Sequence, residues 1–330
     1  MIITRTPFRI SFFGGGTDFP AWYKENGGAV ISTTIDKYCY ISCRRLPPFF
    51  EYKHRIVYSR SEQANEIDEI IHPSVRETMR FMNITEGLEI HHDGDLPARS
   101  GLGSSSSFTV GLLHALYALK GKIVSKKKIA LDAIHIEQNM IKENVGSQDQ
   151  MAVAFGGLNK ITFMGNHDIE VTPITIGHER LQKFQEHLML FFSGFSRSAS
   201  KIEAEKISMI SNKKAELIAM KKLVDVAINI LNGEGDIIDF GKLFEESWKL
   251  KRGLSNKVSN GFIDHVYEIA TKNGAIGGKV LGAGGGGFIL FFVKPEDRER
   301  LKETLNFLSC VPFCFDSVGS QIIYYSDSGV

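Results

Sequence analysis

The chain has 330 residues, with 39 Lys and Arg against 38 Asp and Glu, for a formal net charge of +1. Its 43% hydrophobic and 23% charged content is that of a folded globular protein, which excludes disordered, collagen-like and mucin-like chains. The near-zero charge gives no overall pull toward nucleic acid or an anionic membrane, and the length fits two domains.

Residues 1–13 predict a strand: Phe8, Ile10 and Phe12 point one way, Arg9 and Ser11 the other. Gly14, Gly15 and Gly16 break it. Gly27-Gly28 opens a second β region, AVISTTIDKYCYISCRR. Residues 61–83 read as a polar helix and Leu88–His92 as a short strand. Ser104–Ala118 reads as a helix with an apolar stripe, ending near Lys120-Gly121. Ser125 caps the next helix, which runs to about Glu143. Gly156-Gly157-Leu158 starts another β segment, 173–187 reads as connector, and Leu188–Phe192 as a strand. From 198 to 231 a long helix is expected, with Ile207, Ile210, Leu217, Met220, Leu223, Ala227 and Ile230 at three- to four-residue steps. Helices at 237–251 and 262–273 precede a glycine cluster at 282–287, the strand Phe288–Val293, a helix at 296–308 and the strand Gln321–Tyr325. The pattern predicts two α+β domains, residues 1–180 and 181–330.

The first residues, MIITRTPFRI, lack a basic stretch followed by an apolar one, so no secretory leader is read. The longest strongly apolar run, Phe288–Val293, is far short of the ~18–20 residues of a membrane span. Cys39, Cys43, Cys310 and Cys314 form two C-x3-C pairs. Their alternatives are a four-thiolate zinc site or buried strand thiols in a reducing compartment; the β-branched and aromatic surroundings favour the latter. The expected location is cytoplasmic.

Glycine is the compositional outlier, at 32 of 330, and it concentrates in three segments: Pro7–Asp18, Pro97–Ser107 and Gly282–Phe288. The middle one carries the strongest chemical signal. Gly101-Leu102-Gly103 precedes Ser104, Ser105, Ser106 and Ser107 at the start of an apolar-periodic helix. Backbone N–H groups at such a helix start cradle anions, and the hydroxyls add donors or metal ligands. An ordinary helix cap would need only one serine. Gly282, Gly284 and Gly287 satisfy G-x-G-x-x-G, but a core strand follows instead of a helix, which excludes a dinucleotide fingerprint. This loop is expected to bring backbone close to another loop or a ligand. Glu137 lies amid Ala130, Ala133, Ile134 and Ile141 on an apolar helix face. A carboxylate there is costly unless it is ion-paired or bound to metal. Asp149 follows the helix end and Gly146, where a side chain projects into a cleft.

Together these residues resemble the GHMP family of small-molecule kinases. The three glycine segments occur in the family's order across nearly the whole chain, and Pro97-x-x-x-Gly-Leu-Gly-Ser-Ser is the most specific. The segments TRTPFRISFFGGGTDFPAWY, VGSQDQ, SGFSR and GGKVLGAGGGGF most resemble the family's sugar 1-kinases. The resemblance implies an N-terminal ribosomal protein S5 domain 2-like unit, a C-terminal ferredoxin-like unit and an active site between them. It implies ATP and Mg²⁺ as cofactors. Pro97, Ser100, Gly101, Leu102, Gly103, Ser104, Ser105, Ser106 and Ser107 would form the phosphate loop, and Ser105 and Glu137 would hold the metal. Asp149 would meet the acceptor hydroxyl, with Arg9 beside it offsetting charge on the transferred group. Gly15, Gly16, Thr17, Asp18, Gly284 and Gly285 would face the sugar. Gly15-Gly16 replace a Glu-His pair of galactokinases, which leaves room for a larger sugar.

The reaction this implies is phosphorylation of the anomeric C1 hydroxyl of D-glycero-D-manno-heptose 7-phosphate to the 1,7-bisphosphate. Arg197 is the first candidate for the distal phosphate, ahead of Lys251, Arg252 and Lys279. The alternatives are a fucose- or hexose-type 1-kinase, a mevalonate-type kinase, or a non-catalytic sugar/ATP sensor. The expected partner is a small sugar phosphate, with no nucleic acid or membrane, and the chain acts as a monomer or homodimer.

Overall fold

A computed structural model describes residues 1–165, 168–194, 202, 204–205, 207 and 210–326. The first half runs β1 (Ile2–Phe13), α1 (Pro20–Asn26), β2 (Gly28–Arg45), β3 (His54–Val57), β4 (Ser61–Ala64), α2 (Pro73–Phe81), β5 (Leu88–Gly94), α3 (Ser104–Leu119), α4 (Lys126–His135), α5 (Gln148–Phe155), β6 (Asn159–Phe163) and β7 (Ile169–Pro173). The second half runs α6 (His178–Glu186), β8 (Leu188–Phe192), α7 (Lys214–Asn232), α8 (Ile238–Arg252), α9 (Gly261–Lys272), β9 (Ala275–Val280), β10 (Phe288–Val293), α10 (Arg298–Thr304), β11 (Ser309–Val311), β12 (Phe315–Asp316) and β13 (Gln321–Tyr325).

β1 and β2 are the backbone of the first, nine-stranded sheet, ordered β13-β1-β2-β5-β3-β4, with β6 and β12 also pairing on β2 and β7 on β6. The two long strands are antiparallel, with Arg9 opposite Thr34. Ile10 and Phe12 are fully buried beneath one face, while Arg9 and Ser11 look the other way. Helix α3 crosses this sheet and buries Val110, Leu112, Leu113 and Leu116, which aims its N-terminus at the end of β1. The second sheet is antiparallel, in the order β11-β8-β10-β9. With helices between β8 and β9 and between β10 and β11, this is the βαββαβ arrangement of a ferredoxin-like unit. At the seam, Phe12, Phe13, Phe184, Phe240 and Phe244 interlock, with ring centroids of Phe13 and Phe240 at 5.0 Å and of Phe184 and Phe240 at 4.6 Å. Edge-to-face aromatic contacts of this kind add to the burial of large apolar rings. They hold the end of β1 firmly against the second unit.

Four expectations are corrected. Residues 61–83 are not one helix: Ser61–Ala64 pair with β3, and Pro73 occupies the first turn of α2, where proline starts rather than continues a helix. The helix from Ser125 ends at His135 and is followed by a π-helical turn, Ile136–Met140, closed by the Ile141 amide on the Ile136 carbonyl at 2.9 Å. The 173–187 connector contains α6, a polar helix with Phe184 as its one buried residue, so it carries no apolar stripe to read. A cut at 180 separates the two sheets but not the chain's end, because β12 and β13 return to β2 and β1 of the first sheet. Among the described residues no helix is long and apolar enough to cross a membrane. The four cysteines do not converge: Cys39 and Cys43 are buried in β2, Cys310 is half-buried and Cys314 exposed.

Candidate active site

The N-terminus of α3, the end of β1 and the loop after β9 enclose a cleft of about 280 Å³. Gly103 is the N-cap of α3 at φ +75°, a left-handed backbone that favours glycine, and no side chain caps the helix. The first intrahelical amide bond is Ser107 N–H to the Gly103 carbonyl at 2.9 Å. The amides of Ser104, Ser105 and Ser106 therefore have no carbonyl of the helix to bond, and these three residues line the cleft. These are the donors that the anion cradle expected from the glycine-serine run would use. Within the run the serines divide their work. Ser100 and Ser107 are buried and donate to the Pro97 and Pro7 carbonyls at 2.6 and 3.0 Å. Ser104 accepts from the Arg99 amide at 3.0 Å. Pro97 is exposed and only supports the turn. Buried Leu102 accepts the Arg9 amide on its carbonyl at 2.9 Å, tying the loop to β1.

Arg9, 4% exposed, holds Asp149 through two charge-assisted bonds, Nε to Oδ1 at 2.8 Å and Nη2 to Oδ2 at 2.6 Å. Its Nη1 donates to the Gly101 carbonyl at 2.7 Å. Such a planar bidentate pair fixes both position and orientation of the carboxylate. A methyl group on Gly103 would lie 3.4 Å from Asp149 Oδ2, so Asp149 sits at the lip of the phosphate helix. Asp18 is buried in the same cleft. It accepts from the Gly16 amide at 2.8 Å and from Gln148 Nε2 at 2.9 Å. Its own carbonyl accepts the Ser147 amide at 2.9 Å, linking the first glycine segment to α5. Gly15 and Gly16 line the cleft beside it, with Met220 and Leu254 across from them.

Glu137 is fully buried on the π-helical turn. Its Oε2 accepts from Ser106 at 3.0 Å and from Gln150, while Oε1 has no partner among the described residues. The Thr109 hydroxyl donates to the Ser105 carbonyl at 3.2 Å. Burial pushes the Glu137 carboxyl up to about 7, as expected for a carboxylate without a cation nearby. The ion-pair alternative is thus excluded among the described residues. An orphaned carboxylate oxygen beside serine hydroxyls and an anion cradle fits a hard divalent cation, which takes oxygen ligands from protein and phosphate alike. The hydroxyl touching Glu137 is Ser106, one residue beyond the expected Ser105, which is exposed at the cleft. Among the described residues no group of three acidic, His or Cys side chains forms a metal site, so the remaining ligands would have to come from phosphate or water.

The third glycine loop packs on the first turn of the phosphate loop. Methyl groups on Gly282 and Gly287 would lie 2.6 Å from the Gly101 Cα and 2.3 Å from the Ser100 carbonyl oxygen. The Phe288 amide donates to that carbonyl at 3.0 Å. Gly282 and Ala283 line the cleft. Gly284 and Gly285, expected at the substrate, instead face Val258, whose carbonyl accepts the Gly285 amide at 2.8 Å. Thr17 is likewise corrected: it is fully buried, its hydroxyl donating to the Gly14 and Ala29 carbonyls at 2.7 and 3.0 Å. Arg197 lies outside the described residues. Arg252 is on the surface, paired with Asp264 at 3.0 Å. Lys251 and Lys279 are not the solvated surface lysines their type suggests: both are buried and line the cleft. Sequence reading also missed Ser11, Gln148 and Glu143, which line the cleft, and Gln150, which donates to Glu137. Only Ser11, on the Arg9 face of β1, carried a signal.

Residues 69–157 match the GHMP kinases N-terminal domain and residues 222–308 the GHMP kinases C-terminal domain, together more than half of the chain. The chain is 29% identical over 320 residues to a D-glycero-alpha-D-manno-heptose 7-phosphate kinase from Campylobacter jejuni, covering 92% of this chain and 93% of that one. It is 25% identical over 338 residues to a galactokinase from Pyrococcus furiosus, covering 92% of each chain. Among solved structures, a D-glycero-D-manno-heptose 1-phosphate kinase from Bacteroides thetaiotaomicron superposes with a TM-score of 0.79 at 23% identity, over 99% of this chain and all of that one. The cradle, the carboxylates around it and these matches lead to one conclusion: the chain belongs to the GHMP kinase family and is an ATP-dependent phosphotransferase with an alcohol acceptor.

Proposed function

We propose that the chain transfers the γ-phosphoryl group of ATP to the anomeric C1 hydroxyl of D-glycero-D-manno-heptose 7-phosphate, giving the 1,7-bisphosphate, with Mg²⁺ as cofactor. The observation that carries this reading is the placement of Asp149, clamped by Arg9, between the phosphate helix and a glycine-walled cleft that ends at Asp18. In this reading the amides of Ser104–Ser106 hold the terminal phosphates. Asp149 orients the acceptor hydroxyl and takes its proton as the new O–P bond forms and the bond to ADP breaks. Arg9 stays against the carboxylate and offsets negative charge on the phosphoryl group. Asp18 accepts hydrogen bonds from sugar hydroxyls, and Gly15-Gly16 leave width for a seven-carbon chain. Glu137 with the Ser105 or Ser106 hydroxyl would hold Mg²⁺, which supplies charge neutralisation to the bound phosphates.

The similarity to the Campylobacter jejuni enzyme supports the acceptor class. The test is ADP release measured against heptose 7-phosphate, mannose, fucose, galactose and mevalonate, with the product's phosphorylation site read by ³¹P NMR. Turnover fastest on the heptose phosphate, with a new C1 phosphate, is expected. Faster turnover on an unphosphorylated sugar would displace the proposal in favour of a hexose- or fucose-type kinase.

A further inference from the structure

Two side chains that line the cleft each carry a buried polar atom with no hydrogen-bond partner among the described residues: Ser11 Oγ and Gln148 Oε1. A buried polar atom left unpaired is costly, so each calls for a partner from outside the chain. A serine hydroxyl both donates and accepts, so Ser11 selects little about that partner. An amide carbonyl only accepts, so Gln148 selects a donor.

Gln148 opens α5 and directly precedes Asp149. Its Nε2 donates to Asp18 Oδ2 at 2.9 Å, while the Gly16 amide donates to Asp18 Oδ1 at 2.8 Å. Because a carboxyl oxygen accepts there, the Gln148 side chain is fixed with its NH2 toward Asp18 and its carbonyl turned away from it. Tying α5 to the first glycine turn accounts for Nε2 but leaves Oε1 without a use. The space beside this amide is open. A methyl group on Gly15, which also lines the cleft, would meet no described atom within 4 Å beyond its own chain neighbours except Gln148 Nε2, at 3.9 Å.

The surroundings also set the chemistry of the missing partner. Oε1 needs a hydrogen-bond donor, and next to it stands the Asp18 carboxyl, itself held by donors. A carboxylate or phosphate brought here would set acceptor against acceptor, whereas a neutral hydroxyl supplies the missing proton. Consecutive Cα atoms are about 3.8 Å apart. A hydroxyl that reaches Gln148 while another meets Asp149 therefore comes from the neighbouring carbon of the same acceptor.

We infer that Gln148 accepts a hydrogen bond from the acceptor hydroxyl next to the reacting one, the C2 hydroxyl when C1 is phosphorylated, and so selects acceptors with two adjacent neutral hydroxyls. The inference rests on the reading of Asp149 as the group that meets the C1 hydroxyl of a sugar.

The experiment compares wild type, Gln148→Lys and Gln148→Met on heptose 7-phosphate and on its 2-deoxy and 4-deoxy analogues, at saturating ATP. Unfolding midpoints verify that each variant is folded. Lysine keeps a donor for Asp18 and removes the carbonyl; methionine removes both. In wild type, loss of the 2-hydroxyl should lower kcat/KM about ten- to a hundredfold, because the buried carbonyl is left unpaired. Both variants should lose a similar factor on the parent sugar, and their further loss on the 2-deoxy analogue should shrink to within about twofold. The 4-deoxy penalty should be the same in wild type and Gln148→Lys. A 2-deoxy penalty as large in Gln148→Lys as in wild type, or a wild type indifferent to the 2-hydroxyl, would overturn the inference. So would full recovery of the Gln148→Met loss by Gln148→Lys, which would leave Gln148 only its tie to Asp18. A wild type that does not turn over the heptose phosphate refutes the proposed reaction itself, before any variant is compared.

Discussion

Glu137→Gln separates the burden of a buried charge from its use. Glutamine keeps the size of the side chain and an oxygen for Ser106 and Gln150, but cannot ionise. In the folded chain the carboxyl titrates near 7 against 4.5 in the unfolded chain. The sign follows from that order: below pH 4.5 the group is protonated in both states and has no effect. Between pH 4.5 and 7 the folded state holds the extra proton, so stability falls as pH rises. Above pH 7 the full penalty stands, on the order of 3 kcal/mol. Urea denaturation without nucleotide or Mg²⁺ should therefore find Glu137→Gln close to wild type near pH 4.5 and more stable by an amount approaching 3 kcal/mol at pH 8. Adding Mg²⁺ and ADP should invert the comparison: wild type gains stability by ligand linkage, while the variant gains much less, and its turnover collapses. A stability difference that does not change between pH 4.5 and 8 would show that Glu137 carries no uncompensated charge. An equal Mg²⁺-dependent gain in both proteins would remove it as a metal ligand.

Asp149→Asn should lower kcat by about 10²–10⁴-fold with ATP binding retained, measured by turnover and by nucleotide titration; a loss below tenfold would leave Asp149 only an orienting role. Gly287→Ala forces a methyl to 2.3 Å from the Ser100 carbonyl oxygen at φ +87°. It should cost at least about 2 kcal/mol in urea unfolding and raise KM for ATP by displacing the phosphate loop. Unchanged ATP affinity in a folded variant would mean that the third glycine loop does not support the first turn of that loop.

Much of the site was legible before any coordinates, because its signals are local. Three glycine segments, a serine-rich helix start and a carboxylate on an apolar face each violate what an ordinary element needs, and each lies in or against the cleft. Asp149 carried a local sign in its place after a helix end and Gly146, but its pairing with Arg9 was legible only through family resemblance, since residues so far apart in the chain carry no local sign of their pairing. The errors have equally specific causes. Ser105 and Ser106 are neighbours in an unbroken serine run, and the one that reaches Glu137 depends on the phase of α3 and on the π-helical turn that carries Glu137. Thr17 stands where the resemblance implies a sugar contact, but its hydroxyl is consumed by the carbonyls of Gly14 in its own turn and Ala29 of β2. Lys251 and Lys279 read as surface lysines because residue type says nothing of the carbonyls that hold them.

The amino-acid sequence by itself determined the alternating strands, the glycine- and serine-rich helix start and the two α+β units, which follow from side-chain periodicity and backbone freedom over a dozen residues; the chemistry of phosphoryl transfer was read from the resemblance to the kinase family. The tertiary structure alone decided that β12 and β13 complete the first sheet, that the glycine loop after β9 packs on the phosphate loop, and that Lys279 of the second unit donates to the Phe12 carbonyl of the first. Those relations join residues hundreds of positions apart, and only the packing of one sheet against the other at the phenylalanine seam brings them together.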